Sequence, residues 1–386
     1  MSTTQSTNVV VAAPPGSPER LQSLDFFRGL TIAGMILVNN NGDWKAAYPA
    51  LLHSQWNGWT PTDLVFPFFV FIMGVSMVYS FRTRLARGDS RGAIMRHAAR
   101  RAAILFAIGV LVINSFPNHY NLSHIRIEGV LQRIAVCYLI SAAFVLWSGP
   151  RGQIAAIAAC LVGYWVLMRY VPVPGFGVPT HDIPLLDPDR NLAAWLDRRL
   201  LAGHLYEGTR DPEGVLSTIP ALATSLLGLL TGQWLRSARS AKSKAVGMAV
   251  FGITGVVAGK ILDLGFPINK KLWTSSYVIF TAGLALICLS LCYWIVDIRQ
   301  WRGMWTKLFL VFGMNAIAAY VFAEMMSRAL DQVHAGGMAS QEFIYERAFV
   351  PLTSPANASL LYALTYVLVC WAAMWVLYRK AIFLKI

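Results

Sequence analysis

The chain has 386 residues, of which 56% are hydrophobic and 13% are charged, and its mean hydropathy is +0.51. This composition excludes an ordinary soluble domain, which balances an apolar core against a charged surface. The net charge of +14 does not indicate nucleic-acid binding, because the cations are spread over separate short segments instead of forming one basic face.

The first 20 residues differ in composition from the rest of the chain. They are rich in Ser, Thr and Pro, and their apolar patch, residues 9–13, is too short for the apolar core of a secretory signal. We therefore predict a disordered cytoplasmic tail over residues 1–20 and one membrane domain over residues 21–386.

Apolar segments long enough to cross a bilayer, about 20 helical residues each, recur through this domain. They lack the period of two that a membrane β-barrel requires, so we predict helices. The predicted fold class is all-α: a polytopic membrane helical bundle with about ten transmembrane helices. The predicted spans are residues 24–41, 62–81, 98–116, 127–148, 151–171, 215–235, 245–264, 273–296, 306–328 and 358–378.

The distribution of Lys and Arg predicts the orientation of these spans, because short basic loops stay in the cytoplasm. Basic loops follow spans two and six and precede span nine, and a further basic segment follows span ten. Their cations are Arg82, Arg84, Arg87, Arg91, Arg96, Arg100, Arg101, Arg236, Arg239, Lys242, Lys244, Arg299, Arg302, Lys307, Arg379, Lys380 and Lys385. Both termini are therefore predicted to be cytoplasmic.

The opposite, extracytoplasmic side would hold the longer loops. These are the loop with His53, the loop with His119 and His124, residues 172–214 and residues 329–357. The loop 172–214 contains a predicted short helix at about 191–201 among many turn signals. Elaborate loops on a rigid scaffold usually carry function, so we place the functional site on this side.

The five cysteines, Cys137, Cys160, Cys288, Cys292 and Cys370, all fall within apolar spans, where a thiol packs as a small hydrophobic group. They form no disulfide framework. Cys288 and Cys292 share a helix face, but that span has no His or carboxylate to complete a metal site. We predict no metal.

Polar residues interrupt the first span. Asp25 and Arg28 are three residues apart and can pair on a helix, which could serve topology alone. Asn39 lies on the same helix face as Arg28, about 16 Å further along the axis, so the two could line one path. The purely apolar part, residues 30–38, is too short to cross lipid alone, which predicts that this helix is buried against protein or a wet cavity.

Arg133 falls about two turns inside the predicted fourth span, after Glu128 and Gln132. An arginine at that depth costs at least about 2.5 kcal/mol, so it must face a partner or a cavity. A functional role is one interpretation, and a structural pair with Glu128 or Asp25 is the other. Asn269 and Lys270, followed by Lys271, place cations on the outer side against the general charge bias, which indicates binding or a snorkelling anchor.

His53 stands in a polar run immediately before the second span, with Trp56 and Asn57 close behind it. A histidine at the start of a membrane helix is a proton-transfer group beside a water-excluding wall. Asp63 could hold one tautomer of the imidazole, or it could cap the second span, since residues 60–63 are typical of a helix start. The alternative for His53 is a turn histidine bonded to backbone.

Several of these segments resemble the heparan-alpha-glucosaminide N-acetyltransferase family and its bacterial relatives. The similar segments cover nearly everything after residue 20. They are RLQSLDFFRG from Arg20, VN at Val38, HSQWNG from His53, DLVFP from Asp63, IRIEGVLQR from Ile125, DPEGV from Asp211, INKKLW from Ile268 and GMN from Gly313.

The resemblance implies an acetyl-coenzyme A-dependent N-acetyltransferase that moves acetyl from the cytosol to the amino group of a terminal glucosamine across the membrane. It implies His53 and Asn39 as catalytic residues. Beside them we predict Asp63 as the residue that orients the imidazole, Arg28 and Arg133 as acetyl-coenzyme A-binding, and Trp56, Asn57, Asn269 and Lys270 as binding the acceptor sugar.

The expected acceptor is a bacterial amino sugar or cell-wall fragment, and the expected location is the bacterial inner membrane, with the lipid bilayer as the surrounding partner. The main alternative is a transporter for such a sugar, which would use the same polar path without chemistry. A structural subunit of an envelope complex is a third hypothesis. Association into a homo-oligomer is left open.

Overall fold

The computed structural model describes residues 21–116 and 121–384, so the predicted tail, His119 and Lys385 lie outside the described residues. Helices dominate the described part. Its named strands are β1 (His334–Ala335) and β2 (Met338–Ala339), which pair antiparallel with His334 opposite Ala339. The prediction of an all-α bundle is confirmed.

The α-helices of the described residues follow one another through the whole chain. They are α1 (Gln22–Asn39), α2 (Val65–Ala86), α3 (Arg91–Ala107), α4 (Val130–Trp147), α5 (Pro150–Tyr170), α6 (Leu192–Leu200), α7 (Thr218–Leu235), α8 (Ala241–Asp263), α9 (Ser275–Tyr293), α10 (Met304–Met314), α11 (Ala316–Gln332), α12 (Ser340–Ile344) and α13 (Pro355–Arg379). Segments of π-helix at Ile108–Asn114, Trp294–Ile298 and Tyr345–Phe349 continue α3, α9 and α12. Short 3-10 helices form at Pro49–Leu51, Pro61–Leu64, Leu122–His124 and Val350–Leu352.

Within the described residues, seven helices are long and apolar enough to cross a membrane, and the bent pair of α10 and α11 makes an eighth if it counts as one span. The protein is therefore a multi-pass membrane protein. The first and sixth predicted spans form α1 and α7, which have 18 residues each and are not among those helices. Ten crossings and two cytoplasmic termini remain predictions.

The ninth predicted span, residues 306–328, was expected to be one helix, and this is wrong. The chain bends by 79° between α10 and α11. Asn315 at the bend has φ −125° and ψ 39°, outside the helical region, and its buried side chain bonds backbone atoms of the C-terminal segment instead of the helix. Its Nδ2 donates to Ile382 O at 3.1 Å and its Oδ1 accepts from Leu384 N at 3.0 Å.

Glycines allow several pairs of helices to approach closely. A Cβ on Gly74 of α2 would lie 2.1 Å from Ser225 O of α7, and a Cβ on Gly228 of α7 would lie 2.1 Å from Phe71 O of α2. Gly29 of α1 meets α10 in the same way. Small residues at such crossings allow backbones to pack where lipid supplies no hydrophobic driving force between helices.

The first helix lies inside the bundle, as its short apolar stretch predicted. Eleven of the 18 residues of α1 are buried, and it contacts α2, α9, α10, α11 and α13. The short helix predicted at 191–201 is also confirmed: α6 begins after Asn191, whose side chain accepts a hydrogen bond from Ala194 N at 2.9 Å. Such a cap satisfies one of the free N–H groups of the first turn.

Candidate active site

A cavity of about 550 Å³ opens among α1, α4, α11, the π-helical segment Ile108–Asn114 and three loops. This volume lies within the range that encloses most of a drug-sized ligand. Polar and charged side chains lining it include Asn39, His53, Arg126, Gln132, Glu213, Lys270, Glu324 and Arg328. Of the predicted site residues, the structure therefore brings His53, Asn39 and Lys270 to one cavity.

His53 forms a short contact with Asp63 at the cavity edge. Its Nδ1 lies 2.6 Å from Asp63 Oδ1, and 39% of the imidazole side chain is exposed, whereas the Asp63 side chain is fully buried. An ionised carboxylate only accepts hydrogen bonds, so the neutral ring carries its proton on Nδ1 and leaves Nε2 as the basic nitrogen. The geometry is that of a histidine base with an orienting carboxylate.

Hydrogen bonds from nearby residues hold both the side chain and the backbone of Asp63. Its Oδ2 accepts from Ser54 N at 3.1 Å and from Thr60 N at 2.9 Å, which also makes it part of a capping box at the start of Pro61–Leu64. The hydroxyl of buried Tyr277 donates to the Asp63 carbonyl oxygen. Both sequence interpretations of Asp63, orienting group and cap, thus describe the same carboxylate.

The loop that carries His53, residues 49–64, is tied to two distant segments. Gly58 N donates to Ile268 O at 2.7 Å, and Asn269 Nδ2 donates to Asn57 Oδ1 at 3.2 Å. Trp56 Nε1 donates to Leu186 O at 2.8 Å. Gly58 has φ +96°, a conformation that favours glycine. These contacts give the imidazole a fixed position before any ligand arrives.

Trp56, Asn57 and Asn269, predicted to bind the acceptor sugar, are not among the cavity-lining residues. Asn269 is fully buried, and its Oδ1 also accepts from Leu272 N at 2.9 Å. The contacts of these residues hold the His53 loop. Lys270 does line the cavity and has no carboxylate within 4 Å among the described residues, whereas neighbouring Lys271 pairs with Glu207 at 2.8 Å.

Asn39 is the last residue of α1 and faces the cavity beside α11. Glu324 of α11 also lines this cavity. Arg328, one turn further along α11, lies 3.2 Å from Glu324 and donates to Ile113 O at 2.7 Å. The side-chain amide of Asn39 carries two N–H donors and one acceptor oxygen, so it can bind a ligand in the cavity.

A buried ionic cluster borders the cavity. Arg126 donates to both oxygens of Asp211, at 2.8 and 2.6 Å, and to Glu213 at 2.5 Å. Burial opposes ionisation of Glu213, but Arg126 and Lys270 hold the pKa of its carboxyl group below the usual value. Arg126 also stacks on Tyr206, 4.5 Å from the ring centroid. The fork of one arginine thus joins the loop 206–213 to the segment before α4.

The two arginines predicted to bind acetyl-coenzyme A are not among the cavity-lining residues. Arg28 bonds Asp25 at 3.0 Å, as the predicted pair requires, and also Ser76 at 2.6 Å. Arg133 is 1% exposed; it donates to Gly214 O and Ser217 Oγ and stacks on Trp273 at 5.0 Å. Its predicted ion pair with Glu128 or Asp25 is absent from the described residues within 4 Å, because the guanidinium turns towards α7.

Glu128 precedes α4 and lies outside the membrane-spanning helix. Burial raises the pKa of its carboxyl group from 4.5 to about 7, and Arg133 only partly opposes this. The folded protein therefore retains a proton that the unfolded chain has released, so stability falls as pH rises from 4.5 to about 7.

We expect Glu128→Gln to remove this loss. Above about pH 7 the variant should gain up to about 3 kcal/mol in free energy of unfolding over the parent protein, and at about pH 4 the two should be equal. Thermal unfolding followed at several pH values between these limits measures the difference. A difference that does not change with pH would contradict the assignment.

Two charged residues of the cavity wall, Glu324 and Arg328, were not predicted from the sequence. A signal was present: opposite charges four residues apart within an apolar segment indicate a pair that faces protein or a cavity. No role was predicted for Arg126, Gln132 or Glu213 either, although they lie in the segments that resemble the family. Their meeting depends on contacts between residues more than 80 positions apart, such as Arg126 with Asp211.

Comparison with known proteins decides the family. A family model described as the catalytic part of heparan-alpha-glucosaminide N-acetyltransferase matches residues 20–260. The chain belongs to the heparan-alpha-glucosaminide N-acetyltransferase catalytic family. It is 33% identical over 368 residues to heparan-alpha-glucosaminide N-acetyltransferase of Mus musculus, covering 80% of this chain and 54% of that protein. The Homo sapiens protein of the same name is 32% identical over 366 residues, covering 80% and 53%.

Membership of the heparan-alpha-glucosaminide N-acetyltransferase family confirms the resemblance found in the sequence. The chain spans about half the length of the curated relatives that it matches. The matched region, residues 20–260, contains His53, Asp63 and Asn39 but ends before Lys270, Glu324 and Arg328. The cavity thus combines residues within the family match with residues beyond it.

Proposed function

We propose that this protein is a transmembrane N-acetyltransferase that moves acetyl from cytosolic acetyl-coenzyme A to the amino group of a glucosamine-type sugar on the extracytoplasmic side. The observation that carries the proposal is the His53–Asp63 contact at the edge of a 550 Å³ cavity in a chain of this family. The acceptor sugar would be a bacterial amino sugar or cell-wall fragment, and the membrane the bacterial inner membrane.

His53 acts as the base in this proposal. Attack of a neutral amine on the thioester carbonyl forms the N–C bond and requires removal of one proton from nitrogen. His53 Nε2 takes that proton, and the resulting imidazolium is stabilised by Asp63 through Nδ1. When the C–S bond breaks, the same proton passes to the departing sulfur. General acid–base help of this kind contributes about 10²- to 10⁴-fold.

Asn39 supplies a hydrogen bond to the carbonyl oxygen as it becomes negative. Asn39 lines the same cavity as His53, and its amide carries the N–H donors that a developing oxyanion requires. Transfer through an acetyl-His53 intermediate uses the same residues, because it also needs a neutral imidazole at this position. Direct transfer and the two-step route are separated by testing for acetylated protein in the absence of sugar.

Binding roles for the other predicted residues follow from their positions. Lys270 is proposed to contact the acceptor sugar, and Asn57, Trp56 and Asn269 to support it by holding the His53 loop. Arg28 lies along α1 from Asn39, eleven residues towards the predicted cytoplasmic side, and is proposed to contact the coenzyme A phosphates. Arg133 is buried and does not line the cavity, which supports a structural role.

The experiment that tests the proposal uses sealed vesicles containing the purified protein. Labelled acetyl-coenzyme A is supplied on the side where the basic loops face, and a panel of amino sugars on the other. The expected product is N-acetylated sugar on the sugar side. Uptake of unmodified sugar without an acetyl donor would favour the transporter hypothesis, and neither activity would leave the structural-subunit hypothesis.

A further inference from the structure

We propose that the side-chain amide of Gln132 binds the acetyl-pantetheine arm of acetyl-coenzyme A, by donating a hydrogen bond to one of its carbonyl oxygens in the cavity. The inference rests on the proposed function, which supplies this ligand. It assigns a binding role to a residue of α4 that neither the sequence motifs nor the His53 site explains.

Gln132 combines burial with an unused donor. It lines the cavity and is 2% exposed, and its Nε2 has no hydrogen-bond partner among the described residues. Leaving a buried donor unpaired costs about 1–3 kcal/mol, and native proteins rarely keep such groups without a use. A buried, unpaired amide at a cavity wall is therefore positioned to bind a ligand.

Gln153 shows what a structural glutamine looks like in the same protein. It is also fully buried, but its Nε2 donates to Phe144 O and Ser148 O, both at 3.3 Å, and its Oε1 accepts from Gln233 at 3.0 Å. It does not line the cavity. The unpaired state of Gln132 is thus not a general property of buried glutamines in this bundle.

Two glycines make room for the Gln132 amide. A Cβ on Gly109 would lie 2.4 Å from Gln132 Oε1, and a Cβ on Gly129 would lie 2.8 Å from the same atom. Gly109 belongs to the π-helical segment Ile108–Asn114, a type of helical bulge that occurs frequently at functional sites. Any side chain at Gly109 would force the amide to move, so the backbone on this wall is shaped around it.

The surroundings indicate which ligand group the amide meets. Val130 and Leu131, which precede Gln132 in the sequence, are apolar and also line the cavity. An unpaired N–H requires a hydrogen-bond acceptor, which excludes the ammonium group of an amino sugar, since that group only donates. A narrow chain with isolated carbonyl oxygens fits a part of the wall where apolar residues precede a buried amide donor. The pantetheine arm has this chemistry in its two amides and in the acetyl thioester.

The test measures binding without turnover. Gln132→Met keeps the length of the side chain and removes the donor, and Gln153→Met is the matched control. Calorimetric titration of each purified protein with acetyl-coenzyme A, and separately with coenzyme A, gives the dissociation constants. Gln132→Met should bind about tenfold more weakly, with a melting temperature no lower than that of the parent, because no internal hydrogen bond is lost. Gln153→Met should bind normally and melt earlier.

The two ligands identify the carbonyl group. A loss with acetyl-coenzyme A alone assigns the thioester carbonyl, and an equal loss with both ligands assigns a pantetheine amide; either result supports the inference. Parent-like affinity of Gln132→Met for both ligands overturns it, as does a lowered melting temperature with unchanged affinity. If the parent protein binds neither ligand, the proposed function itself fails.

Discussion

Replacing His53 by Ala should lower acetyl transfer by about 10²- to 10⁴-fold, the contribution expected of a general base, while the protein still inserts and folds. The imidazole is 39% exposed, so its removal leaves little buried space to refill. The buried Asp63 carboxylate keeps its two backbone N–H donors, which limits the loss of stability. Acetylated sugar formed per unit time, together with thermal unfolding, measures both effects.

The chain offers a matched control for this variant. His181 also lies 2.6 Å from a carboxylate, that of Asp182, but its side chain is 83% exposed and it is absent from the cavity lining. His181→Ala should retain full activity. Activity of His53→Ala equal to that of His181→Ala would refute the assignment of the base.

Asp63→Asn should lower turnover nearly as far as His53→Ala does, about 10²-fold or more, through the wrong tautomer of His53. Ser54 N and Thr60 N both donate to Asp63 Oδ2, so the single carbonyl oxygen of an asparagine must occupy that side. Its NH2 group then faces His53 Nδ1. The ring must accept there, and its proton moves to Nε2, the nitrogen that has to be free.

A double-mutant cycle tests this explanation. If Asp63 acts through His53, Asp63→Asn should add little to the loss already caused by His53→Ala, because residues that act as a unit are strongly non-additive. Losses that multiply would instead mean that Asp63 contributes independently, for example through loop stability alone. Asp182→Asn, at the exposed His181 pair, controls for a general effect of removing a carboxylate beside a histidine.

Much of the fold could be predicted from local sequence patterns. Apolar length located nine of the helices, α1 to α5, α7 to α9 and α13, since this signal acts within a few residues. The short helix α6 was predicted among the turn signals of the loop 172–214. The bend at Asn315 was not predicted, because it depends on hydrogen bonds to Ile382 and Leu384, almost 70 positions away. Periodicity alone describes α10 and α11 as one apolar stretch.

In the candidate site, too, contacts between residues close in sequence could be predicted, whereas contacts between distant segments could not. His53 and Asp63 are ten residues apart, and their contact could be proposed from a polar run before a helix. Arg133 was correctly expected to need a partner at its depth, but the partners, Gly214 and Ser217, are brought by α7. Glu324 lies on α11, beyond the bend, and lines the cavity with residues from distant segments, so its place in the cavity wall required the tertiary structure.

The ties of the His53 loop also govern when the site can first exist during synthesis. Gly58 and Asn57 are bound by Ile268 and Asn269, more than 200 positions later, and Tyr277 braces Asp63. A nascent chain that stops at residue 260 holds the whole loop but none of these three braces. The loop therefore acquires its full set of contacts late, once α9 has joined the bundle, and a chain that ends at residue 260 would hold the histidine through Trp56 and Leu186 but without these three contacts.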